Sequence, residues 1–182
     1  MPDAVPDDIP DLSFQVADQR QLDLIVSLVN TAYRGEISKL GWTTEAHILG
    51  GQRTDAEEIG QLLAEKDSLI LLCLYQGAAI GTAHLKKRHN GAYLGMLTIR
   101  PELQGRGFGG QFLAAAENKA RQRWDANRIT MSVITLRHEL IAFYQRHGYQ
   151  RTGRVEEFPR DPRFGIPRVT NLQFEYLEKI LA

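Results

Sequence analysis

Cysteine is nearly missing from this 182-residue chain: Cys73 is the only one. A lone cysteine closes no internal disulfide, as expected in a reducing compartment. It sits inside Leu69-Ile70-Leu71-Leu72-Cys73-Leu74, where an inert core thiol is the expected role rather than a nucleophile. Long apolar runs are missing as well, so no segment approaches the ~20 residues of a spanning helix. Charge of either sign is not in excess, with 22 basic and 22 acidic residues. That balance argues against a nucleic-acid or polyanion binder. Local basic clusters, Lys86-Lys87-Arg88-His89 and Arg146-His147, lack the interleaved aromatics of a single-strand platform. The stretch 1–11 has no basic residue, three prolines and four aspartates. It reads as a flexible acidic arm and not as a signal peptide. The expectations are a cytoplasmic protein with neither membrane nor nucleic acid as partner.

What is present is one domain's worth of chain, 43% hydrophobic and 24% charged, from residue 12 to residue 182. Leu12 to Ala17 reads as a strand, and Asp18 caps a helix with Leu22, Ile25, Val29 and Ala32 on one face. A glycine-punctuated segment, 34–53, precedes a capping box at Thr54-Asp55-Ala56-Glu57 and a second helix. Ser68–Tyr75, Ala78–His89 and Ala92–Ile99 form a three-stranded meander, turned by Gln76-Gly77 and by Asn90-Gly91. A helix runs to about Trp124, Arg128–Ile134 is a strand, and Arg137–His147 is a helix stopped by Gly148. Tyr149–Phe158 and Val169–Leu177 read as closing strands around a proline-rich loop. The order β-α-α-β-β-β-α-β-α-β-β predicts an α+β (mixed α/β) domain.

Between the meander and the third helix lies Gln104-Gly105-Arg106-Gly107-Phe108-Gly109-Gly110. A glycine turn entering a helix N-terminus aims unpaired backbone N–H groups and the positive end of the helix dipole at one point, which suits phosphate. The glycines formally satisfy G-x-G-x-x-G. A dinucleotide fold would want an acid at the end of the following strand, and Val133-Ile134-Thr135 has none. No Lys-Ser/Thr pair follows, so a P-loop fails too.

Gln104-x-x-Gly107-x-Gly109 resembles the Q/R-x-x-G-x-G/A signature of the GNAT superfamily of N-acetyltransferases. Ala142-Phe143-Tyr144-Gln145-Arg146-His147-Gly148-Tyr149 resembles its second common signature, a helical tyrosine followed by Gly-aromatic. The element order agrees along nearly the whole chain. The resemblance implies a GNAT-like fold, with a mostly antiparallel sheet of about seven strands flanked by helices. It also implies acetyl-CoA as donor, with its pyrophosphate on the amides of Gly105, Arg106, Gly107, Phe108, Gly109 and Gly110. Gln104 would brace that loop. A bulge near Leu97, Thr98 and Ile99 would splay this strand from 128–134 and admit the pantetheine arm, and an N–H near Leu97 would hold the oxyanion. Tyr144 takes the position that commonly protonates the leaving thiolate.

The family's usual strand glutamate is missing from Ala92–Met96, so the general base must come from elsewhere. Glu36, Glu45 and His84 are the candidates. The family's common asparagine before the tyrosine is Arg137 here. The acceptor site is expected near Tyr33, Arg34, Glu36, Trp42, Thr43 and Glu45, with His84 as a further contact and carboxylates to attract a cation. Arg34 and Arg163 are alternatives for holding a substrate carboxylate. The loop 160–168 is expected to border that cleft or a homodimer interface. The reading is acetyl transfer to a small primary amine or amino-acid-like acceptor by direct transfer in a ternary complex. A protein N-terminus or lysine, or a non-catalytic acyl-CoA sensor, are the rivals.

Overall fold

The computed structural model describes residues 11–182; the expected acidic arm thus falls outside the described residues except for Asp11. A seven-stranded sheet runs in the order β1-β3-β4-β5-β6-β9-β7. Its strands are β1 (Leu12–Val16), β3 (Ser68–Tyr75), β4 (Ala78–Arg88), β5 (Gly91–Ile99), β6 (Arg128–Ile134), β7 (Gln150–Glu157) and β9 (Gln173–Ile180). Every neighbouring pair is antiparallel except β5–β6. A two-stranded ladder joins β2 (Leu49–Gly50) to β8 (Ile166–Pro167) and fastens the 159–167 loop onto the 34–53 segment. Among the described residues no helix is long and apolar enough to cross a membrane.

Helices cover both faces of the sheet. On one face, α1 (Leu22–Tyr33) and α3 (Ala56–Ala64) bury Ile25, Val29 and Ile59 against Ile70, Leu72 and Met96. On the other, α4 (Phe108–Trp124) and α5 (His138–Arg146) bury Phe112, Leu113, Ala116, Ala120 and Ile141 against Leu71, Cys73, Leu85, Leu94 and Ile129. The alternation along β3 and β5 sends successive side chains to these two cores, which is why both strands read as continuous apolar runs. A four-residue helix, α2 (Gly35–Ser38), follows α1.

The ends of elements shift from the expected positions in two informative places. The cap of α3 is Asp55, whose carboxylate accepts from the Glu58 amide, while Thr54 Oγ1 donates to Glu58 Oε2. The box is therefore centred one residue later than the Thr54–Glu57 pattern implies. The last strand begins at Gln173 instead of Val169. Residues 169–172 are spent on crossing between ladders, and Leu172 accepts from Phe158 N at 2.9 Å.

The sheet opens where β5 leaves β6. The parallel pairing holds only at Ala92↔Ile129 and Tyr93↔Thr130. Beyond it, the β4–β5 register slips between Thr82 and His84, and Met96 takes a left-handed φ of +49°. This is a β-bulge one residue before the expected 97–99. Side chains replace the lost ladder bonds: Thr82 N donates to Thr98 Oγ1 at 3.0 Å, and Thr82 Oγ1 donates to the Met96 carbonyl at 3.1 Å. The kinked β5 and the departing β6 leave a V-shaped gap, with α4 and α5 on one side and α1 on the other.

Candidate active site

Two clefts occupy the gap. The first, of about 310 Å³, is lined by Leu97, Thr98 and Ile99 of β5, by Gln104, Gly105, Gly107, Gly109 and Gly110 of the glycine turn, and by Phe143, Tyr144 and Arg146 of α5. The second, of about 200 Å³, lies on the α1 side between Tyr93–Leu97 and Met131–Ile134 and is closed by Phe158, Pro159 and Phe164. Tyr33, Leu97, Arg137, Leu140 and Tyr144 belong to both. The clefts therefore meet at the bulge, with two phenols and a guanidinium at the junction.

The glycine turn is built for an anion. Gly105 and Gly107 have φ of +77° and +81°, and a Cβ on either would meet no atom within 4 Å. These conformations disfavour any side chain, and the space beside them is free for a ligand. Among the described residues, the amides of Gly105 to Gly110 donate to no carbonyl or side chain; the first bond of this turn is Gln111 N to the Gly107 carbonyl. Gln104 braces the turn, donating from Nε2 to the Ile99 carbonyl (3.0 Å) and accepting the Thr43 amide at Oε1 (3.2 Å). Gly41 makes room for it, since a Cβ there would stand 2.5 Å from Oε1.

The remaining turn residues divide. Phe108 is buried against Tyr75, with ring centroids 5.0 Å apart, so its side chain is core and only its amide faces the turn. Gly110 serves helix packing: a Cβ would lie 2.8 Å from His147 Nε2. Arg106 is exposed and lies outside both cleft linings. The cationic side chains that do line the donor cleft are Arg146 and, at the junction, Arg137.

Tyr144 is buried between Phe143 and Tyr149, at centroid distances of 5.3 and 5.6 Å. Its hydroxyl has no hydrogen-bond partner among the described residues, and the residue lines both clefts. Burial pushes its pKa well above the ordinary phenol value, with Arg137 opposing. Burial also raises Tyr33. Both phenols hold their protons at neutral pH.

The expected bases do not reach this junction. Glu36 projects from α2 into solvent and pairs with Lys39 at 2.6 Å; it lines neither cleft. His84 is buried in β4, with Nε2 2.9 Å from Ser68 Oγ, and also lines neither cleft. Desolvation lowers its pKa to about 4. Glu45 does line the acceptor-side cleft, yet both its oxygens are committed. Oε2 accepts from Arg34 Nε at 2.9 Å and Oε1 from Arg137 Nη1 at 3.1 Å. With each oxygen accepting from a buried guanidinium, the carboxylate serves as a structural clamp.

The expected acceptor contacts are rearranged too. Arg34 directs its two terminal nitrogens to the carbonyls of Gly50, Gln52 and Phe164, so it ties loops together instead of facing a substrate carboxylate. Arg163 pairs with Asp161 at 2.7 Å. Trp42 lies over Phe143 in the first cleft, not the second. Tyr33 lines both. Arg137, which stands where the family resemblance leads one to expect asparagine, sits at the junction instead. Its Nη2 donates to Thr43 Oγ1 at 2.6 Å. Arg53 also lines the second cleft. Arg53 carried no motif that marked it in the sequence, and Arg137 only its departure from the family's asparagine, because loop positions brought together from residues 45, 53 and 137 have no common spacing.

A glycine-cradled anion site beside a bulge-splayed pair of strands defines an acyl-coenzyme A-dependent transferase. The chain belongs to the acetyltransferase (GNAT) family, whose profile matches residues 29–149. It is an acetyl-CoA-dependent N-acetyltransferase. No curated protein sequence matches the chain. Among solved structures, a ribosomal-protein-alanine N-acetyltransferase from Brucella melitensis is 18% identical with a TM-score of 0.68, over 93% of this chain and 99% of the other. A spermidine N-acetyltransferase chimera from Vibrio cholerae is 17% identical with a TM-score of 0.66, over 93% and 95%. A streptothricin acetyltransferase from Bacillus anthracis, described as putative and in complex with acetyl coenzyme A, is 18% identical with a TM-score of 0.55, over 67% of each chain. At these identities the likeness is one of fold.

Proposed function

We propose that this enzyme moves the acetyl group of acetyl-CoA directly to the primary amine of a small metabolite, both substrates being bound at once. The observation that carries the reading is the meeting of two clefts at Tyr144, Tyr33, Leu97 and Arg137, with no nucleophile at the junction. Cys73, the only thiol, is buried in β3, where desolvation pushes its pKa up to about 12. It cannot serve as a covalent carrier. The second cleft, closed by Phe158, Pro159 and Phe164, favours a small acceptor over a protein lysine or N-terminus.

The residues fit the donor. Unpaired amides of Gly105 to Gly110, open space beside Gly105 and Gly107, and Arg146 suit its phosphates. The unpaired edge of β5 near Leu97 and Ile99 suits the amide groups of its arm, as an added strand would. When bound, acetyl-CoA supplies an activated acyl carbon and a sulfur that must leave protonated.

The chain's own groups then have distinct tasks. A backbone N–H at the bulge near Leu97 faces the developing negative oxygen. Tyr144 Oη holds the proton that the departing sulfur takes up. A phenol with a raised pKa is a suitable donor here, because a thiolate stripped of water becomes a strong base, as buried Cys73 illustrates. The acceptor nitrogen surrenders one proton on acylation, and that proton returns to Tyr144 through solvent, so the phenol is regenerated. Neither cleft presents an unpaired carboxylate or an imidazole among its described lining residues. The amine must therefore shed its ammonium proton to water before it reacts.

The test is thiol release with acetyl-CoA and a panel of small amines, with both substrates varied. Intersecting initial-velocity lines are expected for a ternary complex. Parallel lines would overturn direct transfer, and coenzyme A binding without turnover on any amine would replace the reading with a sensor.

A further inference from the structure

The acceptor-side cleft holds more positive charge than it neutralises. Its charged lining consists of Arg34, Arg53, Arg137 and Glu45, beside three tyrosines. Glu45 is shared between Arg34 and Arg137 and can balance only one of them. Arg137 is 4% exposed, yet its Nε has no hydrogen-bond partner. The nearest carboxylate oxygen, Glu139 Oε1, is 3.8 Å away, too far for a hydrogen bond. Arg53 has no ion pair and no side-chain hydrogen bond among the described residues; its guanidinium rests on the Tyr33 ring, 5.5 Å from the centroid. The Arg137 guanidinium lies 5.7 Å from the same centroid. Two guanidiniums with unspent hydrogen-bonding capacity thus lie against one phenol that lines the cleft. A half-buried cation left without an anion, as Arg53 is, is costly, and such an arrangement gains when an anion enters.

We propose that the acceptor is a free amino acid whose carboxylate is received by Arg53, with the Arg137 guanidinium behind it, while its amine faces Tyr144. This rests on the reading of the site as amine-acetylating and names the substrate class. A guanidinium fork matches a carboxylate in a way an ammonium does not. Apolar walls at Met96, Phe158, Phe164 and Phe174 suit a large apolar side chain next to it. A polycationic acceptor would meet the unpaired Arg53 and no free carboxylate, so the cleft selects against it. The expectation that acids near residues 36 and 45 attract a cationic acceptor is thereby reversed, because Glu36 is outside the cleft and Glu45 is consumed.

The experiment compares phenylalanine, phenylalaninamide, phenethylamine and spermidine as acceptors for the full-length enzyme, and measures phenylalanine binding to the coenzyme A-loaded protein by calorimetry. The wild type is expected to prefer phenylalanine over phenethylamine by tenfold or more in kcat/KM, as one charged hydrogen-bond pair supplies. In Arg53→Ala that preference ratio should collapse toward one, through KM for phenylalanine. Arg53→Lys should keep an intermediate ratio, because charge remains without the fork. The ratio is insensitive to partial misfolding, which would lower both substrates together. Preference for phenethylamine, phenylalaninamide or spermidine in the wild type, or a ratio unchanged in Arg53→Ala, overturns the proposal while leaving amine acetylation intact. Arg53-dependent binding of phenylalanine without turnover on any acceptor would sustain carboxylate recognition and refute the acetylation reading. Neither binding nor turnover would refute both.

Discussion

Glu45 Oε1 and Arg137 Nη1 stand 3.1 Å apart, joining the loop after α2 to the N-terminus of α5 across the junction of the two clefts. Arg34 holds the other oxygen of the same carboxylate. All three side chains are less than a tenth exposed. The cluster fixes the wall of the acceptor cleft and also the strand-to-helix turn from which Tyr144 is presented. Replacing Glu45 with Gln leaves two guanidiniums facing an uncharged amide. The expected loss is about 3 kcal/mol, or roughly 6–12 °C in Tm for a domain of this size. Urea and thermal melts measure it. If Glu45 were the general base, Glu45→Gln would instead abolish turnover in a protein that melts normally.

The glycine turn separates ligand space from packing space. Gly107→Ala places a methyl in the open cradle and strains a φ of +81°. The strain costs about 1 kcal/mol, whereas coenzyme A affinity should fall at least tenfold as the amides are screened. Gly110→Ala drives a methyl to 2.8 Å from His147 Nε2. Its main effect should be on folding, since the His147 ring must turn aside from its packing on Phe143. Calorimetric affinity and Tm, measured on both variants, should rank them in opposite orders.

The parts of this molecule written as local patterns are the parts the sequence discloses. Ser68–Tyr75 and Arg128–Ile134 match their observed strands because apolar runs between turn residues have one solution. The donor site is legible for the same reason: a glycine turn between strand and helix carries its chemistry in backbone amides. The acceptor site is assembled otherwise. Arg53 follows the 34–52 loop, Arg137 opens α5, and Phe158 and Phe164 flank a loop after β7. Their meeting depends on the β2–β8 ladder and on the Glu45 clamp, and neither has a sequence period. Glu45 illustrates the difference. An acid in a glycine-rich connection reads as a base or a cation trap until two buried arginines are seen to hold it.

His84 ties acid stability to one buried imidazole. Its folded pKa is about 4 against an ordinary value of 6.5, chiefly because burial in β4 disfavours the charged ring. The unfolded chain therefore binds the proton more readily between these values. Above pH 6.5 the group costs nothing, and as pH falls from 6.5 toward 4 it removes up to about 3 kcal/mol of stability. Urea midpoints across pH 4–7 should fall on the acid side. His84→Gln, which retains a polar partner for Ser68, should flatten that part of the curve. An undiminished slope in the variant would assign the acid sensitivity to other groups.

Tyr144 makes the sharpest kinetic prediction, because its ring and its hydroxyl have separable duties. The ring packs on Phe143 and Tyr149, and Phe in its place preserves those contacts. The hydroxyl has no partner among the described residues, and the residue lines both clefts. Tyr144→Phe should thus leave Tm and coenzyme A affinity nearly unchanged and lower kcat about a hundredfold or more. The pH dependence adds a second check. Burial raises both Tyr144 and Tyr33, so neither phenol deprotonates below pH 10 and no alkaline loss of the acid is expected there. With no free carboxylate or imidazole in the clefts, the rise of kcat/KM with pH should follow the acceptor's own ammonium pKa. Two acceptors differing by two units in pKa should shift that limb by two units. A limb fixed near pH 6–7 for both would instead reveal a base on the enzyme.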